Sequence, residues 1–255
     1  MTRLVLYNIE YCEGILGHWW EYLEFWRVFH AKKGINKHIL NSLKKLNLDV
    51  LALVEEDTGS LRSNHQDQAR DIEKGLGMNH IVEKIKYPLH GWLRLFHYTP
   101  ILNKQANAII TRVPLLHTKY HEFHEGTKRM IIDTTIKLPR RNVTLLLAHL
   151  ALGKRTRKKQ LAELAIIVKK KQNPVILMGD FNTYNGEQEI ATLLETTQLE
   201  DNARIKKTHP SWHPKRRLDY ILTTPDIIIQ EYKALTYAYS DHAPLYVKFK
   251  TKKRR

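Results

Sequence analysis

Apolar residues in this chain gather into short runs, and run after run stops at a polar group able to hold a metal or move a proton. Residues 4–7 lead to Asn8, Ile9 and Glu10; residues 50–54 lead to Glu55, Glu56 and Asp57; residues 143–148 lead to His149. Residues 174–178 lead to Gly179, Asp180, Phe181 and Asn182, and residues 237–239 precede Ser240, Asp241, His242, Ala243 and Pro244. Runs this short, bounded by Gly, Asn and Asp, predict buried strands that deliver their last residues to loops at a sheet edge. Further strands are predicted over residues 105–111 and 129–138. Helical spacing occurs at residues 36–47, where Ile39, Leu40, Leu43 and Leu46 share a stripe, and at residues 68–76. It recurs at residues 157–171, with Leu161, Leu164, Ala165 and Val168 on one side, and a short helix is expected over 187–196. Helices interspersed with such strands predict an α/β fold of two packed mixed sheets with helices outside.

Asp180 and Asn182 are the most informative pair. A carboxylate there can take a proton from water or hold a hard cation, and the amide beside it can orient a phosphoryl oxygen or the attacking water. On composition alone, the same stretch fits a strand followed by an Asx-turn just as well. Asp219 sits inside the apolar alternation of residues 217–222, where an unpaired charge is costly, so it needs a partner, and a His is a natural one. If the strands are neighbours, their ends gather Asn8, Glu10, Glu55, Asp180, Asn182, Asp219, Asp241, His149 and His242 in one cleft. This oxygen-rich, thiol-free set suits Mg²⁺ or Mn²⁺ better than Zn²⁺. No CxxC or HExxH spacing occurs, and no Gly-x-x-x-x-Gly-Lys loop, which disfavours a zinc site and an ATP-driven enzyme.

In order and local wording, Tyr7-Asn8-Ile9-Glu10, residues 49–55, Ala148-His149-Leu150, Gly179-Asp180-Phe181-Asn182, Arg217-Leu218-Asp219-Tyr220 and Ser240-Asp241-His242-Ala243-Pro244 resemble the endonuclease/exonuclease/phosphatase superfamily. That superfamily includes DNase I, exonuclease III-type abasic-site endonucleases, inositol-polyphosphate 5-phosphatases and neutral sphingomyelinases. The resemblance runs from about residue 4 to about residue 249. It implies a DNase I-like four-layer sandwich with Glu55 as the principal Mg²⁺ ligand, Asn8 and Glu10 completing that side, and Asp241 at the metal edge. Glu10 stands where many nucleases of the group have Asp. The resemblance further implies that Asp180 activates or orients the nucleophilic water and Asn182 holds the scissile phosphate. Asp219 would pair with His242 against a phosphate oxygen. His149 falls where the DNase I and sphingomyelinase branches carry a His, unlike the abasic endonucleases. Arg129 resembles a phosphate-contacting Arg of the DNase I branch, though a surface strand Arg fits as well, and Asn107 either serves the substrate or satisfies backbone groups.

Composition adds a polyanion to the picture. Lys plus Arg exceed Asp plus Glu by 42 to 26, a formal net charge of +16, although the candidate cleft is acidic. The surplus must lie elsewhere on the surface, where it attracts nucleic acid or an anionic membrane face. Lys154 and Arg155 open a basic run to Lys159 that follows the His149 strand, and Lys215 to Arg217 precede Asp219. A single domain over residues 1–247 is expected, with residues 248–255 as a basic, solvated tail. The lone Cys12 cannot form an intramolecular disulfide, and the N-terminus lacks a signal-peptide core, so a cytoplasmic location is the simplest expectation. Residues 11–31 crowd aromatics, Trp19 and Trp20 among them, next to Asn8 and Glu10. They read as a packed helix or lid, a base-stacking platform or a lipid-interface element. The remaining histidines, His209 included, lack a defensible ligand spacing. The expected function is a Mg²⁺-dependent phosphodiesterase acting on nucleic acid, with no protein partner implied. The rivals are a phospholipid, sphingomyelin or inositol-phosphate hydrolase, and a non-catalytic nucleic-acid-binding protein.

Overall fold

The computed structural model of the protein describes residues 1–14, 34–85, 104–203, 207–237 and 239–253. Strand β1 (Thr2–Asn8) is followed by α1 (Ile35–Lys44), β2 (Val50–Asp57), α2 (Gln68–Leu76), β3 (His80–Ile85) and β4 (Gln105–Thr111). Then come β5 (Leu115–Glu122), β6 (Met130–Ile136), β7 (Val143–His149), α3 (Lys154–Lys169) and β8 (Val175–Asp180). A 3₁₀ turn at Glu187–Ile190 leads into α4 (Ala191–Thr196), β9 (Glu200–Asp201), β10 (Asp219–Thr223), β11 (Ile227–Ala234) and β12 (Leu245–Thr251).

The strands form two six-stranded sheets, ordered β11-β12-β1-β2-β4-β3 and β5-β6-β7-β8-β10-β9. Each sheet carries one parallel pair at its centre, β1 with β2 and β7 with β8, and is otherwise antiparallel. A helix joins each parallel pair, α1 in one sheet and α3 in the other, so the halves repeat one βαβ plan that composition does not reveal. Alternation then sorts the side chains. Val50, Ala52 and Val54 face the other sheet with Leu145, Leu147, Ile176 and Met178, while Leu51 and Leu53 pack outward with Ile39 and Leu43 of α1 and Ile72 of α2. On the far side, Leu146 and Leu177 meet Leu161, Leu164 and Val168 of α3. The result is the expected four-layer sandwich.

Helix ends follow local chemistry. The Asp67 side chain caps α2 by accepting the Arg70 amide at 2.9 Å, and Gly77 ends it in the left-handed region. Two expectations are corrected. Residues 248–251 are not tail: they are the second half of β12, with Phe249 buried in the inter-sheet core. Tyr237 and Tyr239 lie outside any strand too, because β11 stops at Ala234, and Ser240, Asp241 and His242 lie in the loop entering β12. Among the described residues no helix is long and apolar enough to cross a membrane.

Candidate active site

The two parallel pairs end on the same side of the sandwich, and their last residues meet. Register pairs Asn8 with Val54 in one sheet; in the other it pairs His149 with Asp180 and Asp180 with Asp219. A hydrogen bond crosses directly from β1 to β8, between the sheets: Asn8 Nδ2 donates to Asp180 Oδ2 at 3.1 Å. Both loops leave their strands through the same device. Asn8 Oδ1 accepts the Glu10 amide (3.0 Å) and Asp180 Oδ1 accepts the Asn182 amide (2.9 Å), so the Asx-turn and the catalytic readings of Asp180 describe one geometry. Glu10, Tyr11, Cys12, Glu55 and Asn182 all hold positive φ, a concentration of strained backbone around one cleft.

Glu55 reaches this cleft through a fault in the pairing. Leu53 stands opposite Ala108 but Glu56 stands opposite Ala106, so β2 carries one extra residue there. By simple alternation Glu55 would follow Leu53 to the outer face; the bulge turns it inward, as bulges beside active sites do. The exposed amide of the bulge is caught by Asn107 Oδ1 at 3.2 Å. Glu55 Oε1 then lies 3.3 Å from the Tyr11 hydroxyl, 3.6 Å from Lys128 Nζ and 3.7 Å from His149 Nδ1.

Around Asp180 stand two imidazoles. His149 Nε2 is 3.3 Å from Asp180 Oδ2 and is also contacted by the Lys128 ammonium; His242 Nε2 is 3.9 Å from the same oxygen. His242 Nδ1 binds Asp219 Oδ2 at 2.7 Å, which answers the demand for a partner to that buried acid. Asp219 Oδ1 has no hydrogen-bond partner. Burial disfavours charge on His242, but Asp219, Asp241 and Asp180 outweigh it and hold the imidazole protonated well above the usual histidine range. Burial lifts the Asp180 carboxyl to about 6, with Asp219 adding to the shift while His242 and Lys128 oppose it. Asn182 donates one N–H of its amide to Leu150 O (2.8 Å), which fixes the group and leaves its second N–H for a ligand. Ser240 ties the last loop down by donating to Asn8 O at 2.7 Å, and the Asp241 amide donates to Glu10 Oε2 at 3.3 Å.

Residues 26–242 match the sequence model of the Endonuclease/Exonuclease/phosphatase family. The chain belongs to the endonuclease/exonuclease/phosphatase family. No curated protein sequence matches it. Among solved structures, a functionally unknown conserved protein from Enterococcus faecalis V583 superposes with a TM-score of 0.74 at 16% identity, covering 98% of this chain and 100% of that one. A mannosyl-6-phosphatase from Bacteroides thetaiotaomicron VPI-5482 gives 0.70 at 14% identity, with 98% and 99% covered. The human Nocturnin catalytic domain gives 0.68 at 18% identity, with 98% and 94% covered. At these identities the likeness concerns the fold. Members of the endonuclease/exonuclease/phosphatase family are phosphoester hydrolases that generally depend on a divalent metal.

The donor chemistry of the cleft fits such an ion. Burial, followed by Asp241, Glu13 and Glu55, pushes the Glu10 carboxyl well above the usual carboxylate range, an accumulation of acids that a cation relieves. Two groups here have ligand atoms within 4.8 Å of one another: Asp180, Asp219 and His242, and His209, Asp241 and His242.

Asn107 is buried behind Glu55, where its Oδ1 accepts the Glu55 amide. Replacing it (Asn107→Ala) leaves the bulge amide without its acceptor, and about a tenfold loss in kcat with KM unchanged is expected in steady-state kinetics. Arg129 is engaged elsewhere, donating to Phe123 O (2.8 Å) and pairing with Glu122 (2.6 Å); the cation in the cleft is its neighbour Lys128. Lys154 and Arg155 are exposed on the first turn of α3, where they line a surface groove of about 860 Å³ with Ala162, Leu193 and Thr196. Within the same basic run Arg157 is fully buried and binds Glu189, Ala151 O and Leu152 O, fastening the loop after β7 to the loop after β8. Trp19 and Trp20 lie outside the described residues. His209, set aside in the sequence, is 3.3 Å from Asp241 and packs on His242. Tyr184 stacks beneath Arg216 at the same rim, and neither had a spacing signal.

Proposed function

We propose that the chain is a Mg²⁺- or Mn²⁺-dependent phosphodiesterase acting on nucleic acid. The observation that carries this reading is the convergence on Asp180, whose carboxylate meets Asn8, His149 and His242 from both sheets. Glu55, Asn8, Glu10 and Asp241 would hold the ion, which neutralises charge on a phosphoryl oxygen when bound. Asp180 takes the proton of the attacking water, and the proton's destination is a carboxyl already lifted to about 6. His242, kept protonated by Asp219, faces the phosphoryl oxygens and supplies a hydrogen bond where negative charge develops. The free N–H of Asn182 orients the same group, and Lys128, in contact with His149, adds positive potential.

A polymeric anion as substrate is supported by charge. A net +16 surrounds an acidic cleft, and Arg216 over Tyr184 provides a stacked cation at its rim. The test is turnover in Mg²⁺ of a panel of single- and double-stranded DNA, RNA, an abasic-site duplex, sphingomyelin and inositol phosphates. Cleavage of a nucleic acid is expected. Turnover confined to the lipid or the inositol phosphates would replace the substrate class, and silence across the panel would remove the enzymatic reading.

A further inference from the structure

The bulge that turns Glu55 into the cleft turns Glu56 the other way, onto the outer face of the first sheet beneath α2. There Glu56 is 0% exposed, and neither carboxylate oxygen has a hydrogen-bond partner. Across β4, Glu83 points to the same space, with its Oε2 also buried and unpartnered. The β4 residues paired with these two acids are Ala106 and Ala108, so the strand between them contributes only methyl groups on that face. The third wall is Asp67, the cap of α2. One oxygen from each of Glu56, Asp67 and Glu83 lies within 4.8 Å of the other two.

Among the described residues, no cation pairs with Glu56. Arg70 reaches Asp67 at 3.3 Å from the outside, with its side chain 55% exposed, and Arg70 and Lys104 both act on Glu83 from a distance. A buried acid facing two more acids needs either protons or a cation.

We propose that Glu56, Asp67 and Glu83 form a second cation site, distinct from the cleft, that binds a hard divalent ion. The donors are all carboxylate oxygens, and bidentate carboxylates suit the large, adaptable shell of Ca²⁺. The site is structural: it ties β2, β3 and the start of α2 together directly behind Glu55.

The experiment is Ca²⁺ titration of the full chain by calorimetry, with thermal melts in parallel, in a Glu55→Gln background that removes the principal ligand of the cleft. Stoichiometric Ca²⁺ binding that raises Tm is expected to persist in that background. Adding Glu56→Gln should weaken it by about a hundredfold, because a site loses its central charge. Glu83→Gln, at a half-buried position, gives the same test if the Glu56 variant fails to fold, with about tenfold weakening expected. Absence of stoichiometric Ca²⁺ binding, or binding that neither variant weakens, would overturn the proposal; in the first case a Tm that rises in metal-free Glu56→Gln protein would identify a protonated acid pair instead. Because no readout uses turnover, failure here leaves the phosphodiesterase reading untouched.

Discussion

The Asp180→Asn protein is expected to turn over its substrate at least about a thousandfold more slowly than the wild type while binding polyanions with unchanged affinity. The substitution keeps shape and removes function. Asp180 Oδ2 receives the Asn8 amide and faces both imidazoles, while Oδ1 receives the Asn182 amide. A carboxamide offers one acceptor where the site uses two, and it cannot take a proton from water. Single-turnover rates and a nitrocellulose-filter Kd separate the two effects, and an unchanged rate would sink the assigned role. Stability should move the other way. A carboxylate whose pKa is raised on folding lowers stability as pH climbs from the ordinary carboxylate value towards about 6, and the full penalty persists above that pH. In metal-free protein near neutral pH, the Asn variant therefore melts no lower than the wild type and is expected to melt higher, a trade of stability for activity.

Gly179→Ala is expected to abolish the fold. Gly179 has φ +148 and lies opposite Ala148 where β7 and β8 run parallel; a Cβ there would stand 1.7 Å from Ala148 O and 2.8 Å from Ala148 C. Both atoms are backbone of a central strand, so the clash cannot be relieved by a rotamer change. The strained φ adds to it, and the combined loss exceeds about 5 kcal/mol, comparable to the whole stability of an ordinary domain. Soluble yield and circular dichroism measure this directly, with Gly153→Ala as the control, since a Cβ at Gly153 meets nothing within 4 Å. A Gly179→Ala protein with a native melt would refute the steric argument.

Much of the cleft was legible because its groups terminate apolar runs, and apolar runs of this length mark central strands. The order of those runs also carried the family resemblance. The failures have specific physical causes. A bulge is a mismatch between two strands, so no reading of β2 alone could show that Glu55 and Glu56 would be sent to opposite faces. Lys128 and Arg129 are adjacent cations that part at the entrance to β6, and only the register told them apart. Arg157 hides in a run of exposed cations because its partner, Glu189, lies 32 residues away. Strand β5 escaped notice because it is an edge strand with mostly exposed, polar positions and no apolar alternation. The segment 248–251 read as tail because its lysines outnumber Phe249, although that one side chain anchors it in the core.

The placement of β12 between β11 and β1 has a consequence for how the protein is made. Among the described strands the first in chain order, β1, is a central one, and one of its two neighbours, β12, is the last. The Asn8 to Asp180 bond spans 172 residues, and the loop carrying His242 is held in place by the carbonyl of Asn8. Synthesis must therefore pass His242 before any complete reaction centre exists. A chain that stops short of that loop lacks the centre, so a phosphoester hydrolase of this design carries its own safeguard against acting while it is still unfinished.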